Sequence, residues 1–378
     1  MKSAASGPYR ICDRCVMDTT DPEITFDAAG VCSHCHSYDK DHSKYCAEGA
    51  RGEELLQKAA EEIRVQGKGR EYDSLLGLSG GVDSSYVAYL AGKLNLRPLV
   101  LHVDGGWNSE IAQKNIENIV KRLGFDLFTV VIDWEEMRDL QAAFLRSGLA
   151  NQDAPQDHAI FAVLSRFAVK HRIRTILSGS NYATESCLPR AWGYNAMDSR
   201  LLKSVHARYG RRKLKSFPTV NLFRYLFVDP YVRRVKTIRP LNWIRYDKSE
   251  AMKVLEKELG WRYYGGKHYE SRFTKFFQAH YLPEKFGYDK RRPHLSSLVV
   301  SGQMTRDQAL EELKHELYPA AELREDREFV LKKLGISDEE FDLILRSPNR
   351  TYRNYPSDAK LLEFMNRVRA WLVRRGVL

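Results

Sequence analysis

One short stretch constrains the fold of this chain more than any other. An apolar run, Leu75–Leu78, is followed by Ser79-Gly80-Gly81-Val82-Asp83-Ser84-Ser85, and a helical pattern of apolar residues begins directly after it. This order predicts a strand, a tight turn and a helix. The paired glycines leave backbone N–H groups uncovered, and the new helix directs the positive end of its dipole to the same point. We therefore expect a phosphate-binding loop.

The side chains of the loop suit the same ligand. Ser79, Ser84 and Ser85 add hydroxyl donors, and Asp83 is placed to hold a divalent cation that shares the phosphate charge. The loop is not a Walker A motif, because no Gly-Lys-Ser/Thr sequence follows the glycines. An ordinary glycine turn with a serine N-cap is the alternative interpretation, but it leaves the strand and the helix on either side unexplained.

Four of the six cysteines form two C-x₂-C pairs, Cys12 with Cys15 and Cys32 with Cys35, which are separated by sixteen residues. Each pair can place two thiolates on one metal ion from a tight turn, so the pairs together predict a tetrahedral Cys₄ zinc site of the zinc-ribbon type. A closed shell of four thiolates leaves no open position for a substrate. We therefore expect Zn²⁺ to have a structural or docking role.

Apolar strands alternate with helical patterns after the loop. Besides Leu75–Leu78, strands are predicted at Pro98–Val103, Leu127–Ile132, Thr175–Leu177 and Ile238–Leu241. This alternation predicts an α/β fold with a doubly wound, Rossmann-like parallel sheet. Because ligands bind at the carboxyl ends of the strands in such sheets, we expect ligand contacts from residues at those ends. They are Ser79, Asp104 and Gly179-Ser180-Asn181.

Length and charge set broader limits. The 378 residues suffice for two domains with small appendages. We predict a zinc-ribbon knuckle at 9–50 with a short hairpin between its cysteine pairs, and the α/β domain at 51–245 with a basic and aromatic insertion of no clear periodicity at 190–236. A mainly helical substrate or partner region follows at 246–378, in which Thr305 and Ser337 are predicted helix N-caps. Lys and Arg number 60 against 49 Asp and Glu, a formal charge of +11. This excess, including the basic stretch at 203–215, suits nucleic acid and equally suits ATP and a nucleotide-linked substrate.

The cellular setting is expected to be the cytoplasm. No apolar run approaches the length of a membrane span, and Met1–Arg10 lacks a hydrophobic signal core. Six cysteines in a cytoplasmic chain argue against a disulfide framework.

A second cluster of reactive side chains follows Gly265-Gly266. It contains Lys267, His268, Glu270, Arg272 and Lys275, and so offers an acid, a base and cations at one place. The start of a solvated amphipathic helix explains the same residues equally well by chemistry alone.

The motif Ser79–Ser84 resembles the SGGxDS signature of the PP-loop ATP pyrophosphatases, a group that includes GMP, NAD and asparagine synthetases and tRNA thiolases. The resemblance implies that ATP is cleaved between its α- and β-phosphates and that a carbonyl oxygen is adenylated. It also implies that Glu185 joins Asp83 on Mg²⁺ and that Asp104 meets the nucleoside. The expected ATP and pyrophosphate contacts are Ser79, Gly80, Gly81, Asp83, Ser84, Ser85, Asp104, Gly179 and Asn181.

Further segments narrow the resemblance. The Cys₄ knuckle, VDGGWNSEIAQKNI at Val103–Ile116, PQDHAIF at Pro155–Phe161 and the long stretch Lys267–Leu310 are together similar to the N-acetyl sugar amidotransferases of the WbpG/PseA type. This family is associated with lipopolysaccharide O-antigen biosynthesis, and it converts an acetamido group on a nucleotide-activated sugar into an acetamidino group. The substrate contacts expected on this basis are Gln156, Asp157, His158 and Arg190.

The implied chemistry gives the second cluster a role. An amide carbon is a poor electrophile, so the amide oxygen must first attack the α-phosphate of ATP, and ammonia then expels AMP. Lys267, Arg272 or Lys275 could supply the cation at the developing charge, with Asp83 holding Mg²⁺. Glu270 and His268 are the candidate proton acceptors for ammonia.

Ammonia is expected from a partner, because the chain has neither an N-terminal Cys nor a glycine-flanked Cys elbow. The resemblance implies a separate glutaminase, similar to that of histidine biosynthesis, with a cyclase-like ammonia-delivery subunit.

Two rival functions remain. A PP-loop tRNA-sulfurating enzyme would generally need a reactive Cys pair near the nucleotide, or a metal–sulfur cluster, and only Cys46 and Cys187 lie outside the knuckle. A non-enzymatic zinc-ribbon nucleic-acid binder could use Arg208–Lys215, but it leaves the phosphate loop unexplained.

Overall fold

The alternation of strands and helices produces one parallel sheet. A computed structural model describes residues 8–265 and 270–375 of the chain. The strands are β1 Ser74–Gly77, β2 Pro98–Asp104, β3 Leu127–Val131, β4 Thr175–Leu177 and β5 Lys236–Ile238. All neighbouring strands pair in parallel, in the order β3-β2-β1-β4-β5. The predicted doubly wound α/β fold is confirmed, and the strand order reverses direction between β1 and β4, the position at which such sheets bind ligands.

Helices cover both faces of the sheet because successive residues of β1 point to opposite sides. Leu75 belongs to a buried apolar cluster with Met137 and Val163, and Leu76 belongs to another with Val87 and Ile119. The helices of this half of the chain are α1 Ser33–Tyr45, α2 Gly49–Gln66, α3 Val82–Lys93, α4 Glu110–Leu123, α5 Trp134–Ser147, α6 Ala154–Lys170, α7 Tyr182–Glu185, α8 Ser199–Tyr209 and α9 Lys248–Leu259.

The rest of the chain is helical, as predicted, and has a third core of its own. Phe273, Phe276 and Phe341 are fully buried there together with Trp107 of the α/β part. Thr305 and Ser337 cap their helices as expected, since each hydroxyl accepts a hydrogen bond from the backbone N–H three residues ahead. The helices are α10 Arg272–Phe276, α11 Leu282–Phe286, α12 Arg291–Val300, α13 Arg306–Glu312, α14 Ala320–Leu334, α15 Asp338–Arg346 and α16 Ala359–Arg374.

Three local features differ from the sequence expectation. The fifth strand is Lys236–Ile238 and not Ile238–Leu241, because Pro240 has no N–H for the ladder and begins a 3₁₀ turn. The insertion at 190–236, in which no periodicity was expected, contains α8. Asp198 caps this helix by accepting from the N–H groups of Arg200 and Leu201.

The third difference lies in the knuckle, where the second cysteine pair leads directly into α1. The hairpin predicted between the pairs is reduced to a single antiparallel bridge between Phe26 and Cys32. The division of the chain at 245/246 stays a prediction, although α9 lies beyond it and packs on α3 within the α/β part through Ala251 and Leu255.

Two glycines allow the phosphate loop to lie close to its neighbours. Gly80 has a φ of +82°, and a Cβ added there would lie 2.5 Å from the carbonyl oxygen of Ala112 on α4. A Cβ added to Gly179, directly after β4, would lie 2.8 Å from the backbone nitrogen of Ser84. No side chain fits at either position, so the loop, α4 and the end of β4 come together only through glycine.

Among the described helices, none has the combined length and apolar character that a membrane crossing requires.

We expect Gly179→Ala to destabilise the protein by about 1–3 kcal/mol, because the new methyl group meets backbone atoms that cannot move aside. The measurement is the free energy of unfolding in urea. Gly193→Ala is the matched control, since no atom lies within 4 Å of its added Cβ. Equal stabilities for the two variants would contradict the steric role of Gly179.

Candidate functional site

The phosphate loop opens into a large cleft of about 1870 Å³ at the carboxyl ends of β1 and β4. Ser79, Gly81, Asp83 and Ser84 of the loop line this cleft. Gly80 and Ser85 do not: the Gly80 carbonyl accepts a hydrogen bond from the indole of Trp261 at 2.9 Å, and Ser85 is fully buried in the first turn of α3. The loop therefore divides into residues that face the cleft and residues that anchor the turn.

Hydrogen bonds within the loop fix its shape. The backbone N–H of Gly81 donates to the hydroxyl of Ser79 at 3.2 Å, and the hydroxyls of Ser79 and Ser84 lie 3.1 Å apart. Gly81 is the N-cap of α3 and has no side chain to accept a hydrogen bond. The N-cap residue therefore leaves the backbone N–H groups of the first helical turn uncovered. The donors and the helix dipole suit an anion such as pyrophosphate.

A tyrosine that no sequence motif marks holds Asp83. The hydroxyl of Tyr246, which is 4% exposed, donates to Oδ1 of Asp83 at 2.5 Å. Burial and the charge of Asp83 raise the pKa of Tyr246 well above its usual value, so this tyrosine stays a donor. Glu185, at the end of α7, also lines the cleft. Carboxylate oxygens are the ligands that Mg²⁺ prefers, so the donor chemistry of Asp83 and Glu185 fits this ion.

The chain from Glu270 to Arg272 is fixed against the segment that follows β2. Asn108 and Ser271 form an antiparallel bridge, and the N–H of Ser109 donates to the Glu270 carbonyl at 2.8 Å. This contact brings the Glu270 carboxylate to the phosphate loop: a Cβ added to Gly81 would lie 3.3 Å from its Oε1. Glu270 is thus placed beside the loop as an acid or base.

Tyr264 lies at the same point. Its hydroxyl would be 3.3 Å from a Cβ added to Gly81, and it accepts a hydrogen bond from the N–H of Val82. Burial and the neighbouring Glu270 raise the pKa of Tyr264, so it remains protonated and can donate to that carboxylate. Its position in the sequence, just before the Gly265-Gly266 pair, was the only signal for it.

A second acid lies near Glu270. The half-buried carboxylate of Asp153 accepts a hydrogen bond from the Thr274 hydroxyl at 3.0 Å, and both residues line the cleft. Loss of solvation, followed by the charge of Asp157, raises the pKa of Asp153 well above its usual value. Neither Asp153 nor Thr274 was selected from the sequence, although Asp153 lies two positions before the motif at Pro155–Phe161.

Helix periodicity separates the members of the second cluster. Ser271 caps α10 and faces the cleft with Thr274, whereas Arg272 and Lys275 point to α14. Arg272 pairs there with Asp326, and Lys275 pairs with Glu322 and Asp326. The structure therefore does not bring the predicted cations Arg272 and Lys275 to the cleft. The predicted Lys267 and His268 lie outside the described residues.

The residues expected to bind the sugar also divide. Gln156, Asp157 and Arg190 line the cleft. His158 is fully buried beneath it: its Nδ1 donates to the carbonyl of Ala196 at 2.7 Å, and its Nε2 accepts from the N–H of Val220 at 3.2 Å. With both ring nitrogens used by the backbone, His158 positions the chain at 196 and 220 and has no atom for a ligand.

Two further residues at strand ends form hydrogen bonds with neighbouring residues of the protein. Asp104 accepts hydrogen bonds from the N–H of Gly106 at 2.7 Å and from the amide of Asn108 at 3.2 Å, and it does not line the cleft. Asn181 caps α7 by accepting from the N–H of Thr184. Gly179 does line the cleft, but its packing on Ser84 already accounts for the absence of a side chain.

The four knuckle cysteines converge as predicted. Their Sγ atoms all lie within 4.8 Å of one another, with Cys15 and Cys32 at 3.6 Å, Cys32 and Cys35 at 3.7 Å, and Cys12 and Cys35 at 3.9 Å. Four sulfurs bound tetrahedrally to one Zn²⁺ would be about 3.8 Å apart, given Zn–S distances of about 2.3 Å. The thiol set therefore fits a single four-coordinate ion such as Zn²⁺.

The C-terminal helices hold the knuckle in place. The Arg306 guanidinium donates to the carbonyls of Cys12 and Cys15, and the Ser296 hydroxyl accepts from the N–H of Val16. Arg292 forms an ion pair with the buried Asp18 at 2.9 Å. Because Pro22 and Glu23 line the cleft, these contacts make the knuckle part of its wall.

Residues 270–369 match the family model of the C-terminal domain of WbpG-like LPS biosynthesis proteins. A search of curated proteins found no similar sequence. Three solved structures are similar to a large part of the chain. They are NMN synthetase from Francisella tularensis (17% identity, TM-score 0.32, covering 79% of this chain and 99% of that chain), NH₃-dependent NAD synthetase from Campylobacter jejuni (15%, 0.31, 76% and 97%) and U34-tRNA thiolase NcsA from Methanococcus maripaludis with its [4Fe-4S] cluster (16%, 0.31, 69% and 81%).

The fold assignment follows from the sheet order and the phosphate loop of this chain. The family match begins at Glu270, the residue that reaches the phosphate loop. The predicted resemblance to WbpG-type proteins is confirmed over residues 270–369.

We expect the purified chain to contain about one zinc ion, measured by elemental analysis, and Cys35→Ser to lose it because three thiolates hold the ion less tightly. Cys46→Ser is the control and should retain the metal, since Cys46 lies outside the thiol cluster. Iron with the visible absorption of an iron–sulfur cluster would contradict the zinc assignment.

We expect the Asp153→Asn variant to gain stability relative to the natural protein as the pH rises. Folding raises the pKa of Asp153 above its value in the unfolded chain, which is about 3.9. Between these two pKa values, the natural protein loses stability as the pH rises, because the unfolded chain ionises Asp153 more readily than the folded protein does. The loss is at most about 1.4 kcal/mol per pH unit. Urea unfolding at a series of pH values measures the difference. Asp307→Asn, on an exposed turn of α13, is the control and should show no such trend. A difference for Asp153→Asn that does not change with pH would rule out the burial effect.

Proposed function

We propose that this chain, which carries a WbpG-like C-terminal domain on a PP-loop fold, is an ATP-dependent amidotransferase. Its substrate would be a nucleotide-activated surface-polysaccharide sugar, whose acetamido group it converts into an acetamidino group. The observation that carries the proposal is the contact between that domain and the phosphate loop, which places Glu270 beside Gly81. An acid from the family-specific domain thus meets the ATP-specific loop at one site.

The arrangement suits an adenylation followed by a displacement. The acetamido oxygen attacks the α-phosphorus of ATP, the bond to the bridging oxygen breaks, and pyrophosphate leaves as an O-adenylyl imidate forms that keeps the amide proton on its nitrogen. Ammonia then adds to the imidate carbon and loses a proton, and AMP departs with the original amide oxygen. The products are the amidine, AMP and pyrophosphate.

The loop would stabilise the leaving group. The hydroxyls of Ser79 and Ser84 and the start of α3 lie where pyrophosphate charge develops, and charge that is met by fixed donors lowers the barrier. Mg²⁺, when bound by Asp83 and Glu185, would neutralise part of the same charge. Tyr246 would keep the Asp83 carboxylate oriented through its 2.5 Å hydrogen bond.

Glu270 would take the proton that ammonia must lose. Its carboxylate is beside the loop, and therefore near the imidate carbon once the acetamido oxygen is bound to the α-phosphate. Tyr264 would fix its orientation through a hydrogen bond, and Asp153 lies on the same wall. A correctly positioned general base contributes about 10²–10⁴-fold to a rate.

The ammonia source in this proposal is a separate glutaminase with a cyclase-like delivery subunit. Neither remaining cysteine lines the cleft: Cys46 is half-buried, and Cys187 is fully buried with its N–H bound to Ser297. This arrangement favours the amidotransferase over the tRNA-sulfurating alternative, which would need a thiol within reach of the nucleotide.

The test is to incubate the chain with ATP, Mg²⁺, ammonium and a panel of nucleotide-linked diacetamido sugars. We expect AMP and pyrophosphate together with a product in which NH has replaced O, detected by mass spectrometry. Ammonium should support the reaction and glutamine should not, unless the glutaminase is added. Formation of ADP would contradict the proposed reaction. Equal use of glutamine by the chain alone would contradict the proposed glutaminase partner.

Glu270→Gln tests the assigned base in the same assay. The amide keeps the shape but cannot accept the proton, so we expect kcat with ammonium to fall by about 10²–10⁴-fold. Glu328→Gln on the exposed side of α14 is the matched control and should keep full activity. A Glu270→Gln variant with unchanged kcat at every pH would remove Glu270 from the mechanism.

A further inference from the structure

The cleft is larger than the proposed ATP site requires. Single-ligand pockets usually enclose about 300–1,000 Å³, and this cleft encloses about 1870 Å³. The phosphate loop bounds only part of it. Another part is bounded by two segments, 190–195 after α7 and 349–353 after α15, in which only Arg190 was expected to contact the substrate. We call this part the aromatic–arginine end.

Stacked aromatic rings form the walls of this end. The rings of Tyr194 and Tyr352 are parallel within 13° with centroids 4.1 Å apart, and those of Trp192 and Tyr288 are parallel within 11° at 4.6 Å. All four residues line the cleft. The Tyr194 hydroxyl donates to Asp198 at 2.8 Å, which fixes its ring. Flat, rigid aromatic surfaces of this kind are suited to stacking with a nucleotide base.

Two arginines project at the same place without a carboxylate partner. Among the described residues, the exposed side chain of Arg190 has no hydrogen bond or ion pair, and the guanidinium of Arg353 donates a hydrogen bond to the neighbouring Tyr352 and lies over its ring. Arg350, which is adjacent, differs: its guanidinium is bound by the hydroxyls of Tyr209 and Tyr355. Arg190 and Arg353 therefore keep their donor groups available, and guanidinium groups match phosphate oxygens in pairs.

We propose that the aromatic–arginine end binds the nucleoside diphosphate of the sugar donor. The base stacks on the aromatic wall of Tyr194 and Tyr352, and Arg190 and Arg353 hold the diphosphate. The sugar then extends past Gln156 and Asp157 towards Glu270 and the phosphate loop, all of which line the same cleft. This inference rests on the proposed function, because it assigns the carrier half of the substrate to a second nucleotide site separate from that of ATP.

The experiment is calorimetric titration of the full chain with UDP, GDP and inorganic pyrophosphate, without and with saturating α,β-methylene-ATP. We expect one nucleoside diphosphate to bind with one-to-one stoichiometry and to remain bound in the presence of the ATP analogue. We expect Arg190→Ala and Arg353→Ala each to weaken this binding by roughly 10–100-fold, the usual effect of losing a charged hydrogen bond. Arg324→Ala, an exposed arginine of α14 outside the cleft, is the matched control and should change the affinity less than twofold.

Several results would overturn the inference. They are no binding of either nucleoside diphosphate, displacement by the ATP analogue, affinity for pyrophosphate equal to that for the nucleotide, and unchanged affinity in both arginine variants. Because both arginines are exposed, their replacement should leave the unfolding midpoint unchanged, which separates lost binding from lost folding. If the nucleoside diphosphate binds but no amidine forms, the proposed function is wrong and the nucleotide site remains supported. If amidine forms but no nucleoside diphosphate binds, the nucleotide site is wrong and the proposed function remains supported.

Discussion

The close approach of the phosphate loop to α4 and to the end of β4 is the constraint on which the rest of the structure depends. It exists because Gly80 and Gly179 have no side chains, so backbone atoms of three elements meet at distances that a methyl group would prevent. Trp261 then fixes the loop from behind by donating to the Gly80 carbonyl. With the loop held this way, α3 starts at the carboxyl ends of β1 and β4, where the strand order reverses, and its first turn faces the cleft.

The C-terminal domain depends on that fixed edge and completes the site. It bridges Asn108 through Ser271, and it holds the knuckle through Arg306 and Arg292. One domain is therefore attached at both sides of the cleft. The buried pairing of Lys275 with Asp326 is better explained by this attachment than by chemistry, because a cation held by two carboxylates supports packing between α10 and α14.

The sequence allowed the fold to be predicted wherever the information was local. Four of the five strands, the loop, the four cysteines and the helix caps at Thr305 and Ser337 each depend on a few adjacent residues, and they were predicted. The site could be predicted only in part, because its completion depends on contacts between distant segments. Tyr246 reaches Asp83 from 163 positions away, and no local pattern marks it.

The opposite error has the same physical origin. Lys275 and His158 carry reactive groups and lie near the right motifs, but helix geometry and burial turn them to other partners. Asp104 ends a strand as expected, but its carboxylate accepts a hydrogen bond from the turn that follows. Spacing in the sequence can place a residue on an element, whereas the direction of its side chain depends on which neighbours the element packs against.

The distribution of charge along the cleft gives a physical reason for the proposed order of substrates. Arg190 and Arg353 line the cleft, and the helix start and serines of the phosphate loop provide a second site for anions in it. The acidic residues Asp157 and Glu270 line the same cleft. In the proposed reaction, the phosphate groups of the two ligands would be attracted to the arginines and to the loop, and repelled by the acids. The neutral acetamido group would then be the part of the sugar best suited to lie beside the acids, where the activated oxygen and the incoming nitrogen would meet.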